Sequence, residues 1–428
     1  MITADRIAPP TTLDEAGLSL DLVNQLVLKT LYFSGELSGA DVAKRLGVLF
    51  GVIEPALEFL KAQHHCEVVG GALVGGSSYR YRITNEGRTV AALYLQQNQY
   101  VGIAPVPLAQ YRRYMDDWGE SATAHVSREA VQNELSHLVL GDVVLDEIGP
   151  AINGGQSIFI YGPPGNGKTT IAHALWGLLD GDVAIPHAIE VEGSIIRVFD
   201  PVTHQERRAA EESLLTLNPT TAHDRRWAVC RRPMVKAGGE LNLSSLDLSF
   251  DPRLGYYRAP LQMVANGGIL LVDDFGRQRC APRDLLNRWM VPLESGTDYL
   301  TLQSGLTFEV PFCVFVAFAT NIKPSELVDE AFLCRVRYKV FANSPSVDDF
   351  IRIFERCCAE RNVPFDRAIV DQLLDGYLHR HAVELRACQP RDLINQALLL
   401  ATYRGEPNEL SLALLESACA AYFVDDRD

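Results

Sequence analysis

The sequence is poor in the features that would place it outside the ordinary globular class. Long apolar runs are missing. The longest uncharged one is Val310–Thr320, whereas a membrane-spanning helix needs about 20 residues. Such a run predicts a buried strand and no membrane span. The first residues, MITADRIAPP, lack a basic segment leading into an apolar one, which argues against a secretory signal and for a soluble, cytoplasmic protein. Clustered cysteine is missing too. The nine thiols are odd in number, none sits in a CxxC pair, and Cys357 and Cys358 are adjacent. That spacing suits neither a zinc knuckle nor a disulfide framework and predicts free thiols in a reducing compartment. Positive charge is scarce. The 39 Lys and Arg face 54 Asp and Glu, a net charge of −15. Wholesale coating of nucleic acid is disfavoured, because each neutralised phosphate needs a cation. Internal repeats and low-complexity tracts are absent from the sequence.

What remains is a chain of 428 residues, 47% hydrophobic and 22% charged. That length suits two to four domains. From Leu18 the periodicity is helical. Leu22, Leu26 and Lys29/Thr30 share a stripe with Leu18, and Val23, Val27 and Leu31 adjoin it. A short helix follows, with Ser38 as its cap, and a third helix runs near Val52–Gln63. Two strand-like runs, CEVVGGALV and SSYRYRIT, then meet at Gly75-Gly76. Three helices and a Gly-tipped hairpin outline a winged helix over residues 1–100. That stretch carries 8 Lys and Arg against 10 Asp and Glu. A DNA-reading module presents a basic face, and only Lys44, Arg45, Arg80 and Arg82 could build one here. Protein docking is favoured over DNA, with DNA left open. Pro105, Pro107 and the polar stretch Asp116–Ala124 read as a linker over 101–126.

The strongest local signal comes next. Ser157–Tyr161 is a short apolar strand. Gly162-Pro163-Pro164-Gly165-Asn166-Gly167-Lys168-Thr169 then matches GxxxxGK[ST], and an amphipathic helix follows from Thr170. Glycines let successive backbone N–H groups turn inward around phosphates, and the following helix adds its positive N-terminus. Lys168 is placed to reach the β- and γ-phosphates of ATP, and the Thr169 hydroxyl to ligate Mg²⁺. Further on, GGILLVDDFGR carries Ile269–Val272 into Asp273-Asp274. An acidic residue at the end of a strand beside the P-loop strand is where Mg²⁺ is held. Asp273 is assigned to the metal through its water shell, and Asp274 to the attacking water. VPFCVFVAFATNIKP is a buried strand delivering Thr320-Asn321, whose amide would face the γ-phosphate. VDEAFLCRVRYKV is a helix ending in Arg335 and Arg337, and ACQPRDLINQ sets Arg391 at a helix start after Pro390.

This order resembles the AAA+ ATPase superfamily over roughly residues 127–428. The resemblance implies an α/β P-loop NTPase core with a parallel sheet over 127–343 and a helical lid over 344–428. It makes Gly162–Thr169 Walker A, Ile269–Asp274 Walker B, Asn321 sensor 1, Arg391 sensor 2, and Leu138–Val139 the adenine-packing segment. It makes Arg335 an arginine finger acting on a neighbouring subunit's ATP, with Arg337 as the fallback, and so implies a homo-oligomeric ring, a hexamer on the family pattern. Two departures stand out. Walker B ends Asp-Asp rather than Asp-Glu, which shortens the reach of the base. The finger helix reads Leu-Cys-Arg where many members read Leu-Arg-Arg.

An insertion over about 185–262 exceeds what one strand–helix unit needs. HAIEVEGSIIRVFDP reads as a hairpin turning at Glu192-Gly193. A polar helix around Arg207–Leu215, the strand WAVCRRP and a second hairpin in GGELNLSSLDLSF are expected after it. Residues 201–262 hold 9 Lys and Arg against 7 Asp and Glu, with pairs at Arg207-Arg208, Arg225-Arg226 and Arg231-Arg232. Trp227 and Tyr256-Tyr257 are either hairpin core or substrate-gripping aromatics, and core is favoured. The expected activity is ATP hydrolysis coupled to remodelling or assembly of a protein client. The alternatives are a DNA-associated regulator or loader and a slow-hydrolysing nucleotide switch.

Overall fold

The structure is a computed structural model that describes residues 7–71, 76–121, 125–155, 157–207, 223–327 and 333–423. It divides into two compact units. The first comprises Met1–Ala124, Leu179–Leu270 and Asp284–Phe315. The second comprises His125–Leu178, Leu271–Arg283 and Val316–Asp428. The insertion thus groups with the N-terminal hundred residues rather than with the P-loop.

The first unit begins with helices Leu20–Ser34, Gly39–Leu46 and Phe50–Ala62, followed by strands Cys66–Gly71 and Tyr79–Ile83 and helix Asn85–Gln97. A short strand, Glu36–Ser38, joins the two others in a three-stranded sheet with Tyr79–Ile83 in the middle. The tip expected at Gly75-Gly76 lies partly outside the described residues. The helix starts follow from local chemistry. Ser19 accepts from Leu22 N, and Ser38 accepts from Asp41 N at 3.0 Å. The stripe Leu22, Val23, Leu26, Val27 and Leu31 is buried in the core of this module. Lys29 lies among those residues, and burial pulls its ammonium down to about 8. Ala188 and Ile195 of the insertion belong to the same core.

The stretch read as a linker is instead a helix, Leu108–Ser121. Tyr111, Tyr114, Met115 and Trp118 recur at helical spacing and are all buried, while Asp116 and Asp117 take the wet face. The Tyr114 hydroxyl accepts from Ala184 N at 2.7 Å, and Trp118 Nε1 donates to Asp182 O at 3.1 Å. Trp227 packs on Tyr114 and Tyr111 at centroid distances of 4.9 and 6.3 Å. Trp227 and Tyr257 are therefore core residues, and Tyr256 packs edge-on against Tyr100.

The insertion hairpin Ala188–Val191/Ser194–Arg197 forms as expected, with positive φ at Glu192 and Gly193. The second expected hairpin does not form in GGELNLSSLDLSF. A 3₁₀ turn, Leu243–Leu246, replaces its first strand, because Asn242 Oδ1 caps Ser245 N at 3.1 Å. Leu241 and Leu246 bury while Leu243 stays exposed, so the alternating leucines do not share a face. The helix expected around Arg207–Leu215 lies almost wholly outside the described residues. A hairpin absent from the sequence reading, Thr297–Thr301/Thr307–Pro311, closes the run Val310–Thr320 into two strands rather than one. Buried Asp298 anchors it, accepting from Arg288 Nη1 at 2.6 Å and Gln262 Nε2 at 2.9 Å.

The second unit contains a parallel arrangement in which Phe315–Thr320 and Tyr338–Phe341 flank the P-loop strand Ser157–Tyr161. Ile269–Val272 pairs beyond Phe315–Thr320. The acidic strand is therefore one place removed from the P-loop strand, not beside it. Every residue of Ile269–Val272 and Phe315–Thr320 is buried, as sheets covered on both faces require. The C-terminal helices Val347–Glu360, Arg367–Leu373, Gln389–Arg404 and Leu412–Tyr422 pack around Phe350, Phe354, Leu373, Leu393 and Leu415. Among the described residues no helix is long and apolar enough to cross a membrane.

In the first unit the Asp224–Arg226 pair is buried on both sides, at 2% exposure each, with a 2.8 Å contact. Arg226 also donates to Ala16 O and Gln110 Oε1. Replacing Asp224 by Ala strands that guanidinium, so Asp224→Ala should cost about 3–5 kcal/mol in urea unfolding.

Candidate functional site

A cleft of about 1040 Å³ opens in the second unit over the P-loop. The loop's path is set by glycines. Gly162, Gly165 and Gly167 have φ of 145°, 81° and 74°. A Cβ on Gly162 would stand 2.4 Å from Ala342 O, and one on Gly165 would stand 2.5 Å from Cys388 Sγ. Lys168 is buried, and its ammonium donates to Gly162 O at 3.0 Å and Pro163 O at 2.7 Å. Burial pulls its pKa below the ordinary lysine range, and Asp274 and Asp273 oppose that shift. Helix Lys168–Leu178 starts at the loop's end and brings Thr169 and Thr170 to the cleft wall, beside Pro164, Gly165, Asn166 and Gly167.

The acidic strand end meets Thr169 directly. Thr169 Oγ1 lies 3.0 and 3.2 Å from the two Asp273 oxygens. Asp274 is exposed to the cleft with φ +49°. Asn321, at the tip of the strand between Asp273 and the P-loop, donates from Nδ2 to Asp274 Oδ1 at 3.3 Å. On the same strand, Phe275 N donates to Ala319 O at 2.8 Å and Thr320 Oγ1 donates to Phe275 O at 2.7 Å. These bonds lock the acidic turn to the Asn-bearing strand.

Leu138 and Val139 also line the cleft, with Val143 and Val144. Ile353 and Cys357 of helix Val347–Glu360 line it too, and Arg356 of that helix donates to Ser136 O. Arg391 also lines the cleft. Its guanidinium is paired with Asp392 at 2.9 Å, which holds it above the usual arginine range. Arg335 is half-buried on the turn before Tyr338–Phe341 and is not among the described residues that line the cleft.

The sequence reading missed several contacts. Asn166 is buried and ties three segments together. Its Nδ2 donates to Ser344 Oγ at 3.3 Å and Ala342 O at 3.5 Å, and its Oδ1 accepts from Ala387 N at 3.2 Å. Cys388 N donates to Gly165 O at 2.9 Å, so the residues just before Arg391 sit on the P-loop itself. No local pattern announces either contact. The fit to a nucleotide with Mg²⁺ rests on the glycine cradle that a Cβ would fill and on the Thr169–Asp273 oxygens converging at its mouth. Hard divalent ions take such oxygen donors.

A Gly-lined strand–loop–helix with a buried lysine, in one sheet with an acidic strand end, is the architecture of a P-loop NTPase core. The strand inserted between the P-loop and acidic strands, the Asn at its tip and the C-terminal helices agree with the α/β core and helical lid that the resemblance to AAA+ ATPases implies. Comparison with known proteins gives a family described as Domain of unknown function (DUF8689), which matches residues 346–421. No curated protein sequence matches the chain. Among solved structures, the Thermotoga maritima RuvB Holliday junction branch migration motor is similar at 15% identity and a TM-score of 0.37, covering 70% of this chain and 71% of its own. NtrX from Brucella abortus in complex with ADP is similar at 12% identity and a TM-score of 0.40, over 70% of this chain and 60% of its own.

Asn166→Ala removes a buried amide and leaves Ala387 N without its acceptor. The variant should lose about 1–3 kcal/mol of stability, read as a lower thermal midpoint, and should bind a fluorescent ATP analogue more weakly.

Proposed function

We propose that the protein is a cytoplasmic AAA+ ATP hydrolase whose turnover, in a ring of copies (a hexamer on the family pattern), remodels or assembles a protein partner. The observation that carries hydrolysis is the convergence of Thr169, Asp273, Asp274 and Asn321 at the mouth of the P-loop cleft. The P-loop amides and Lys168 bind the phosphate chain of ATP, and Leu138 and Val139 pack the base. Mg²⁺, held by Thr169 and through water by Asp273, would neutralise charge on the β- and γ-phosphates. Asp274 orients the attacking water and takes its proton as the bond to the β–γ bridging oxygen breaks and ADP leaves. Asn321 sets the direction of the Asp274 carboxylate. Arg391 exchanges Asp392 for the γ-phosphate, and Arg335 completes the site of the neighbouring copy.

The N-terminal module is read as a winged helix that docks protein rather than DNA. Three of the four basic residues that could build a DNA-reading face are engaged: Arg80 and Arg82 both clasp Glu36, at 2.7 and 2.9 Å. Arg45 donates to Ser34 Oγ. The second helix of the helix–turn–helix, Phe50–Ala62, exposes Glu54, Glu58 and Phe59 where a DNA reader carries cations. The insertion's arginines give little more. Arg226 and Arg232 are buried, and Arg232 donates to Gly267 O with its guanidinium 4.7 Å from the Trp118 ring.

Lys168→Ala should abolish binding of a fluorescent ATP analogue. Asp274→Asn should keep that binding and lose about 10²–10⁴-fold in phosphate release, and unchanged turnover would remove Asp274 from the chemistry. When Arg335→Ala subunits are mixed into wild type, turnover should fall faster than the wild-type fraction; strictly proportional loss would exclude an arginine acting across subunits.

A further inference from the structure

Asp274 occupies an unusual backbone position for the work proposed for it. Its φ of +49° lies in the left-handed region that most side-chain-bearing residues avoid. Its carboxylate is also one methylene shorter than a glutamate at that place, so a small rotation of the backbone moves it out of reach of the water. Something must therefore hold the peptide planes on both sides of its Cα.

We infer that Gln278 is the positioning residue that does so. Its side-chain amide closes the acidic turn with three hydrogen bonds. Oε1 accepts from Gly276 N at 2.7 Å. Nε2 donates to Asp273 O at 3.0 Å and to Asp274 O at 3.2 Å. Those two carbonyls belong to the peptide planes before and after Asp274. The orientation of the first sets φ of Asp274, and that of the second sets ψ. One donor bridging both fixes the direction in which the Asp274 Cβ leaves the backbone. The far side of the turn is pinned separately, by Phe275 to Ala319 and Thr320. On the near side Arg277 N also donates to Asp274 O at 3.0 Å, and Gln278 is the side chain that ties that carbonyl to the one before it. Asp273 gains as well, because the same amide holds its carbonyl while its carboxylate faces Thr169. Gln278 is half-buried and does not line the cleft among the described residues. It acts through the two aspartates and not on the nucleotide.

The inference rests on the hydrolysis reading, and one experiment separates the two. Wild type, Lys168→Ala, Gln278→Met and Gln278→Glu are compared in phosphate release, in Kd for a fluorescent ATP analogue with and without Mg²⁺, and in thermal midpoint. Met keeps the length and volume without hydrogen bonds. Glu keeps the acceptor for Gly276 N and loses the donor. Both Gln278 variants should turn over about 10²-fold more slowly, the scale of a 1 Å misplacement, while Kd stays within about twofold and the midpoint barely moves, the split expected when only transition-state stabilisation is lost. Wild-type turnover in Gln278→Met overturns the inference alone. So does a variant whose turnover, Kd and midpoint all deteriorate together, which marks a purely structural role. A wild type that releases no more phosphate than Lys168→Ala overturns the hydrolysis reading and the inference with it.

Discussion

The nucleotide site depends on one buried cation. Lys168 donates to the carbonyls of Gly162 and Pro163, the first two residues of its own loop. That internal clasp curls the loop back on its helix. The rest of the site is built around the curled loop. Asn166 fastens it to Ala342, Ser344 and Ala387, and Cys388 N fastens it through Gly165. Ala342 crowds Gly162 closely enough to forbid any side chain there. A loop held from so many directions is preorganised, so little order has to be acquired when phosphate enters.

Charge is distributed by the same logic of internal use. The insertion looks basic by count, yet two of its arginines, Arg226 and Arg232, are buried in structure. Arg226 serves Asp224, Ala16 and Gln110, and Arg207 pairs with Asp182 at 2.9 Å. Arg232 is sunk deeply enough for burial to bring it to about 10. Part of the positive excess in sequence thus becomes buried clamps. Arg288 does the same for the hairpin at Asp298, where a carboxylate at 1% exposure requires a charged partner.

The parts of the site that were legible in the sequence are those whose chemistry is local. A Gly-rich loop with Lys168 and Thr169, an apolar strand ending in Asp273-Asp274 and a buried strand ending in Asn321 each declare themselves within a dozen residues. So does the hairpin at Glu192-Gly193, since only a turn with two positive φ values fits it. What escaped was set by distant partners. Asp116 and Asp117 made Leu108–Ser121 look like a linker, although Tyr111, Tyr114, Met115 and Trp118 already had helical spacing. Their burial depends on Ala184, Asp182 and Trp227, far along the chain. The leucines of 241–246 alternated like a strand, but one asparagine cap redirected them. Gln278 and Cys388 carry no pattern, because their roles lie in which backbone groups the fold brings within reach.

The helix Leu108–Ser121 has a consequence at the level of the gene. It looks like the end of an N-terminal module, but its Tyr114 and Trp118 take their hydrogen bonds from residues 182–184, and its Arg112 reaches Glu309 at 2.7 Å. A fragment cut after residue 124 would therefore encode only one of three pieces of a shared core. The N-terminal module is not a detachable cassette. Grafting it onto another P-loop protein, or expressing it alone, would mean carrying residues 179–270 and 284–315 with it.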